Sequence, residues 1–598
     1  MSLSFALSNA LSGLQANQAA LSVISSNVSN ANTEGYTRKI IQQTSIVLNG
    51  QGAGVNIDSV VRRVDDRLQL ELRDTISSQR QLAVLERFYA SAQSLFGSLA
   101  DDSALSANVD VLGGAIANLS ASPESNSLRG VVLDDANALV REVSSLAMDV
   151  QELRLDADRE ITRIVGLINS QLDNIVELNE KIAQNVASNE PTAEFEDKRD
   201  VAINEIAQYL DINYFTRETG EVVVYLDSGL PIVDSAPRYL SHSSVSAMGP
   251  TVTHALGSID GIDSGGVDIT NQIQKGELAA LIEMRDVTLP RMQESLDRFA
   301  ERLRDEVNLA HNQGSGLPPA NTLTGSRSFA APATDNVTLT SAVRIAVTDA
   351  DGTVVDFFDL AAGTYTIDDI RDQINANIGA NATATTAAGG PLAISADNAA
   401  NGIAIVDLGA QTVTDNGTGE TYGGFSYFFG LNDFFVTPGA VTNDAITGIA
   451  QGLAVRDDIN QVTGHLSRGA LSTDPALAVG DLGIAQGDNS IADAMAAVFG
   501  QNFTFAAAGD VPQITSTLSG YAAEILGVNA IQAARNTETL AFETSLEEQL
   551  SLRFQAQVGV NVDEEMANLI LYQNAYAASA RVITTTQEMF DDLQRIIG

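Results

Sequence analysis

One stretch of this chain constrains its architecture more than any other. From Ser127 to about Ala187 the apolar residues keep a helical step without a break in pattern. Leu139, Val143, Leu146, Val150, Leu153 and Ala157 follow one another at spacings of four and three. Ile161, Val165, Ile168, Leu172, Ile175, Asn179 and Ile182 continue the rule. The single step of four between Ala157 and Ile161 shifts the phase, a stutter that locally unwinds a coiled coil. At 1.5 Å per residue such a helix spans roughly 90 Å. That is too long for an ordinary globular layer and predicts an elongated rod of packed helices.

Both chain ends carry shorter seams of the same kind. Leu7, Leu14, Leu21 and Val28 recur every seven residues, with Leu3, Ala10, Asn17 and Ile24 on the alternate positions. This is an a/d seam about four heptads long. The first 33 residues contain no charged side chain. A helix free in water carries charges on its outer face, so this one is read as enclosed by protein on most sides, where charge would cost desolvation. Burial in an ordinary globular core is the alternative from pattern alone. At the other end Leu569, Tyr576, Ile583, Phe590 and Ile597 form a column, joined by Met566 and Leu593. That helix is predicted to start near Val562. Val560–Asp563 could cap it, and Glu564 and Glu565 suit the positive end of its dipole.

Between these landmarks the texture changes several times. Ser26–Arg38 reads as a loop and residues 39–64 as extended chain around the glycine-rich turn Gly50–Gly54. No Gly-Lys-Ser/Thr follows those glycines, so they are not a phosphate loop. Helical patterns run from Asp65 to Leu99, over 103–119 and over 192–210. Short strands are expected at 212–216, 221–227 and 231–233. A further helix, Gly276–His311, sets Leu289, Leu296, Leu303 and Ala310 in one column, and Pro290 either starts a helix there or kinks it. From 316 to 450 Thr, Ala, Gly and Asn dominate and apolar residues alternate, as in Val343–Ile345–Val347 and Ile403–Ile405. This predicts a β-rich insert with one helix near 367–378. Helices return at 489–500 and 518–556.

The expected fold is therefore mainly α with a β-rich insert, a multidomain α+β chain. Residues 1–64 and 540–598 would form a discontinuous terminal coiled-coil region. Residues 65–315 and 451–539 would form a helical rod with a small β region at 212–270. Residues 316–450 would form the variable outer domain.

Composition narrows the functional classes. Acidic residues number 76 against 33 Lys plus Arg, a formal charge of −43. Such a surface argues against nucleic acid or an anionic membrane as partner, because phosphate binding needs cations. It keeps the chain soluble and makes its copies repel unless salt screens them. There are no cysteines, which removes disulfides, thiolate metal sites and thiol nucleophiles. The amino terminus lacks the basic and unbroken apolar regions of a cleaved secretion signal. No run of 18 apolar residues predicts a membrane span.

No motif points to catalysis, a metal or a cofactor. His242, His254, His311 and His465 are far apart and fit no ligand spacing; they are read as surface or loop residues. Asp349-Ala-Asp351-Gly352 lacks the later ligands of a calcium loop and is read as a hairpin turn. The aromatics Phe425, Tyr427, Phe428, Phe429, Phe434 and Phe435 suit either a subunit contact or the core of the insert, and core is the preferred reading.

Two segments carry a family resemblance. Ala16–Arg38 reads A-N-Q-A-A-L-S-V-I-S-S-N-V-S-N-A-N-T-E-G-Y-T-R. It closely resembles the amino-terminal signature of flagellar rod, hook and hook-associated proteins. Val558–Thr585, V-G-V-N-V-D-E-E-M-A-N-L-I-L-Y-Q-N-A-Y-A-A-S-A-R-V-I-T-T, is similar to the carboxyl-terminal partner signature. Glu34 stands where many relatives place Pro. The length of the chain, the sequence F-E-D-K-R-D at Phe195–Asp200 and Gly424–Val436 favour the hook-associated branch over hook or distal rod proteins.

The resemblance implies a structural subunit and not an enzyme. It implies polymerisation through both ends, at a junction between hook and filament outside the cell. Implied partners are other copies of the chain, hook protein, a second junction protein, and a cytoplasmic chaperone on the carboxyl-terminal helix. Export would run through the flagellar type III apparatus without a cleaved signal. The residues carried over as an assembly interface are Leu3, Leu7, Leu14, Leu21, Ile24, Asn27, Val28, Asn30, Asn32, Thr33, Gly35, Tyr36 and Arg38. At the other end they are Met566, Leu569, Tyr576, Ile583, Phe590, Leu593 and Ile597.

Overall fold

The computed structural model describes residues 3–48, 50–97, 104–437 and 446–597. Its centre is the predicted long helix. It runs Asn126–Ser188, here α4, and at ~1.5 Å per residue extends about 95 Å. Ser125 caps it by accepting from the Leu128 amide, and Asn189 ends it in the left-handed conformation. Leu139, Val143, Leu146, Val150 and Ala157 are buried along one side. So are Ile161, Val165, Ile168, Leu172, Ile175, Asn179 and Ile182. Leu153 departs from the expectation: it is only half-buried, and Arg154 takes the inward position.

The phase shift has a partner across the interface. The helix expected at Gly276–His311 is α6 (Gly276–Glu283) and α7 (Leu289–His311), joined by a π turn at Met284–Thr288. Pro290 has no N–H to give and its ring crowds the preceding turn, so the wider turn accommodates it. Arg154 donates from Nε to the Arg285 carbonyl at 2.9 Å and from Nη2 to that of Val252 at 2.8 Å. Burial pulls its guanidinium pKa down to about 10. Asp158, one turn on, accepts from Arg285 at 2.8 Å. Polar chemistry thus fills the level at which the apolar stripe changes phase.

Around α4 pack α2 (Asp66–Phe96), α3 (Leu105–Ala121), α5 (Ala193–Tyr209), α6 and α7. A three-stranded antiparallel sheet follows α5: β3 (Ile212–Thr216), β4 (Val222–Leu226) and β5 (Pro231–Val233). Two short strands, β6 (Leu240–Ser241) and β7 (Asp263–Ser264), pair beyond it. Apart from β7, these elements share one continuous apolar core with the later helices α12 (Ser490–Gly500) and α13 (Leu518–Val558).

The insert contains three small antiparallel sheets. The first orders β11 (Val354–Leu360), β10 (Val343–Thr348) and β15 (Gly402–Asp407). The second orders β12 (Gly363–Thr366), β9 (Asn336–Leu339), β16 (Thr412–Asp415) and β17 (Thr421–Gly423). The third orders β13 (Ala382–Thr385), β14 (Gly390–Ala396) and β8 (Thr322–Phe329). Helix α8 (Ile367–Ile378) begins with a capping box of Thr366 and Asp369 and buries Ile367, Ile370, Ile374 and Ile378. The turn at Asp349–Gly352 is a hairpin in which Asp349 Oδ1 accepts from the amides of Asp351 and Thr353. β10 is buried at every position, because Leu317, Leu471 and Ile484 cover its second face.

The aromatic run lies inside. Phe425, Phe428 and Phe429, on the short helix α9 (Phe425–Phe429), belong to the insert core. Phe434 and Phe435 belong to the rod core, Phe435 in the two-residue strand β18 (Phe435–Val436), which pairs with β19 (Ala454–Val455). The run therefore joins the two cores. Short helices α10 (Ile449–Gly452) and α11 (Asp457–Gln461) and the hairpin β20–β21 (Phe503–Phe505, Ile514–Ser516) complete this part.

Two histidines contradict the surface reading. His311 is fully buried: its Nδ1 donates to the Asn432 carbonyl at 2.7 Å and its Nε2 accepts from the Ser467 amide at 2.9 Å. His242 is also enclosed, with Nε2 3.0 Å from Asp158 Oδ1. Sequence spacing detects ligand patterns and is blind to a lone histidine that locks two loops together.

Burial pushes the His311 pKa down to about 4. The folded state then resists a proton that the unfolded chain takes up below about 6.5, so stability falls as pH drops through that window. Denaturant melts between about pH 6.5 and 4 should show this loss, up to about 3 kcal/mol, and His311→Gln should remove that slope. Leu172→Ala, at a fully buried site on α4, should cost about 3 kcal/mol in the same assay.

Candidate assembly interface

The two chain ends meet. The first helix, α1, is Leu3–Ser29, and the last, α14, is Val562–Ile597. They pair antiparallel: Asn27 faces Glu565 at one end, and Asn17 donates to Ser579 Oγ at 3.5 Å further along. Asn561 caps α14, its Oδ1 accepting from the amides of Asp563 and Glu564. Between α1 and the rod rises a hairpin, β1 (Lys39–Leu48) and β2 (Gln51–Arg62), with β2 against α1.

A buried ionic network closes the base of this unit. Arg38 donates from Nε to Glu565 Oε1 at 2.8 Å and from Nη2 to Glu564 Oε1 at 3.0 Å. Asn27 donates to Glu565 Oε2 at 3.1 Å and to the Lys39 carbonyl at 2.9 Å. Its Oδ1 accepts from the Lys39 amide and from the Tyr36 hydroxyl. One asparagine thus ties α1, the following loop and α14 together. The Arg38 amide donates to the Val558 carbonyl at 2.8 Å, which adds the end of α13.

The network continues into the rod. Lys39 Nζ is 3.0 Å from Asp197 Oδ2 and stands 3.4 Å over the Tyr36 ring. Thr37 donates from its amide and hydroxyl to the same carboxylate. Arg62 reaches Glu196, Asp197 and Asp200 at 2.7, 3.2 and 2.6 Å. Arg73 of α2 reaches Asp200 at 3.1 Å. Burial would raise the Asp200 pKa, yet Arg62 and Arg73 outweigh it and hold the carboxyl below its usual range. Arg199 points the other way, to Asn179 and the Gly220 carbonyl. The sequence F-E-D-K-R-D is thus the acidic receptor for cations that flank the hairpin. Gly35, at φ +75°, lies so close to α5 that a Cβ would stand 2.3 Å from Val201.

The predicted interface residues divide into groups. Asn27, Ile24 and Arg38 are buried. Tyr36 and Asn30 are half-buried, and Asn30 donates to the Ser26 carbonyl. Asn32, Thr33 and Gly35 lie exposed on the loop. Leu3, Leu7, Leu14, Leu21 and Val28 are half-buried along α1. On α14, Leu569, Ile583 and Phe590 are half-buried, while Met566, Tyr576 and Leu593 are exposed. The side chain of Ile597 lies outside the described residues.

Sequence reasoning missed the acidic half of the network and a second apolar column on α14. The sequence marks Glu565 only as a dipole complement, yet it is 2% exposed. The signal was present: Arg38 and Lys39 are the first cations of the chain and follow a charge-free helix. Val582, Met589 and Ile596 also recur every seven residues and are exposed, as are Ile570 and Leu571. Nothing else among the described residues covers that face.

Family models match in three places. Residues 7–37 match a model described as flagella basal body rod protein, and 553–596 the carboxyl-terminal model of flagellar basal body rod FlgEFG proteins. Residues 89–328 match the helical domain of flagellar hook-associated protein FlgK. Flagellar hook-associated protein 1 of Salmonella typhimurium is 24% identical over 99% of both chains, and that of Escherichia coli likewise. The chain is thus similar to flagellar hook-associated protein 1 along its whole length. It is a structural protein of the bacterial flagellum. The Bacillus subtilis member is 24% identical over 52% of this chain and 67% of its own. The solved flagellar hook junction protein FlgK of Burkholderia pseudomallei aligns over 81% of this chain and 99% of its own, at 17% identity and a TM-score of 0.46. The matches to family members divide as the fold does, with rod-type signatures at the paired ends and the hook-associated signature on the rod helices.

Asp200→Asn would leave two buried guanidinium groups short of a carboxylate and should cost about 3 kcal/mol at neutral pH. Because the folded pKa of Asp200 is depressed, its contribution is present above the unfolded value and lost as pH falls through the folded one. Acid melts below about pH 4 should therefore narrow the gap between wild type and variant.

Proposed function

We propose that this protein forms the junction between hook and filament by stacking its terminal helices against those of sister copies. The observation that carries the reading is the uncovered apolar face of α14. Val582, Met589 and Ile596 lie on it at 46%, 53% and 83% exposure. Next to it α1 offers a half-exposed surface without a single charge. Copies of a chain carrying −43 repel wherever charge meets charge. The charge-free surface of α1 and the apolar column of α14 beside it are where they can approach closely.

Energetics support order on assembly. An isolated pair of helices must recover ~1–2 kcal/mol per residue of backbone entropy. Burial of apolar surface returns ~25 cal/mol per Å². Neighbouring copies would bury further apolar faces of α1 and α14. The hub at Arg38–Glu565 would then hand force from this inner layer to the rod.

The partners that follow are sister copies, hook protein on one side and a second junction protein on the other. An export chaperone would cover the α14 stripe before assembly. Export would use the flagellar type III route, with the terminal segment retained.

The test uses purified full-length chain and a form lacking residues 562–598. Full-length monomer should exchange amide hydrogens rapidly in α1 and α14 and slowly in α4, and exchange at both ends should slow on polymerisation. The shortened form should stay monomeric, and cells carrying it should have hooks without filaments. Protected ends in the monomer, or attached filaments on those cells, would overturn the reading.

A further inference from the structure

The hairpin β1–β2 has one guarded edge and one open edge. β2 is guarded by α1: Asn9 donates to the Gly52 carbonyl at 3.1 Å, Ser8 to that of Ala53 at 3.5 Å, and Ser12 Oγ accepts from the Val55 amide at 3.2 Å. The approach is so close that a Cβ on Gly54 would stand 2.4 Å from Ser12 Oγ. β1 pairs with β2 and, among the described residues, with no other strand. Its outer edge runs from Ile40 to Leu48 and is exposed at every position but Ile41.

That edge carries no charge or Pro and, among the described residues, no covering segment, and the extra residues of the hairpin's two register shifts sit on β2. Natural edge strands carry charge or Pro, are short, or are covered, because an open ladder recruits another strand. Ile40–Leu48 contains no charge and no Pro, and Ile40–Ile57 contains no charge at all. Its irregularities are register shifts at Gln42/Gln43 and Ile46/Val47. The tip carries Ile46, Val47 and Leu48 at 38%, 60% and 54% exposure.

We infer that β1 is a second contact between copies, in which an extended segment of a neighbouring chain adds to its free edge and buries Ile46, Val47 and Leu48. The occupant is a second copy for two reasons. A strongly acidic molecule meets its own kind where charge is absent, and the hairpin continues the charge-free surface of α1. The open edge also lies beside the helix pair on which copies stack, so stacking brings a neighbour alongside it. The inference rests on the stacking proposed above and adds a backbone ladder to it.

The test needs three full-length forms: wild type, Val47→Asp with Leu48→Asp, and Ile570→Asp with Leu571→Asp. All are exposed positions, so monomer melts should match wild type. The concentration needed for polymerisation in sulfate should rise by about tenfold or more for the hairpin form. Wild-type polymerisation of the hairpin form with an impaired α14 form would overturn this inference alone. Wild-type polymerisation of both would overturn the stacking reading beneath it. A second readout is independent of assembly strength. In a chain without cysteine, Val47→Cys places one thiol at the tip. A maleimide should label it freely in the monomer and about tenfold or more slowly in the polymer. Equal rates would overturn the inference.

Discussion

The buried pair of Arg38 and Glu565 is the constraint from which the rest of the structure follows. A charge taken from water must find an opposite charge and have its remaining hydrogen-bonding capacity met. Here that requirement joins residues 527 positions apart. Satisfying it fixes α14 against α1, and Asn27 then sets the loop that delivers Lys39 and Arg62 to the acidic turn of α5. The hub accounts for why a chain with few cations places several of them between residues 38 and 73. They are structural bolts, and the acidic excess is left for the outer surface.

From that base the molecule divides by kind of packing. The rod buries Leu, Ile and Val along one side of α4 against the helices packed on it, so its core is complete within one chain. The insert is likewise complete, its sheets closed over α8 and sealed from behind by Leu471 and Ile484. The terminal unit is different. Its ionic base is paired within the chain, whereas its apolar faces and the β1 edge are only partly covered. A subunit built this way can have a fixed hub and still gain from contact with its copies.

Much of this was legible in the residues. Seven-residue columns announced α1, α4 and α14, because a helix must turn one face inward and its period is fixed. The insert was legible from alternation and Thr-rich composition. Leu153, His242 and His311 were misjudged for one reason: local pattern does not reveal what crosses from another part of the chain. At Leu153 the polar cluster around the π turn draws Arg154 inward. At His311 two distant loops supply the hydrogen bonds that make a buried imidazole tolerable. The acid–base hub was visible only as isolated charges in a quiet region.

By itself, then, the sequence determined the elements: which segments are helical, how long the rod helix is, which residues form stripes, and that both ends share one pattern. These are local consequences of periodicity, capping and turn chemistry. Tertiary structure alone decided the partners. It brought Glu565 to Arg38 and Asp200 to Arg62 and Arg73, guarded β2 while leaving β1 open, and put one apolar column of α14 toward α1 and another toward solvent. Pairing is a question of three-dimensional distance and desolvation, and no local sequence period encodes it.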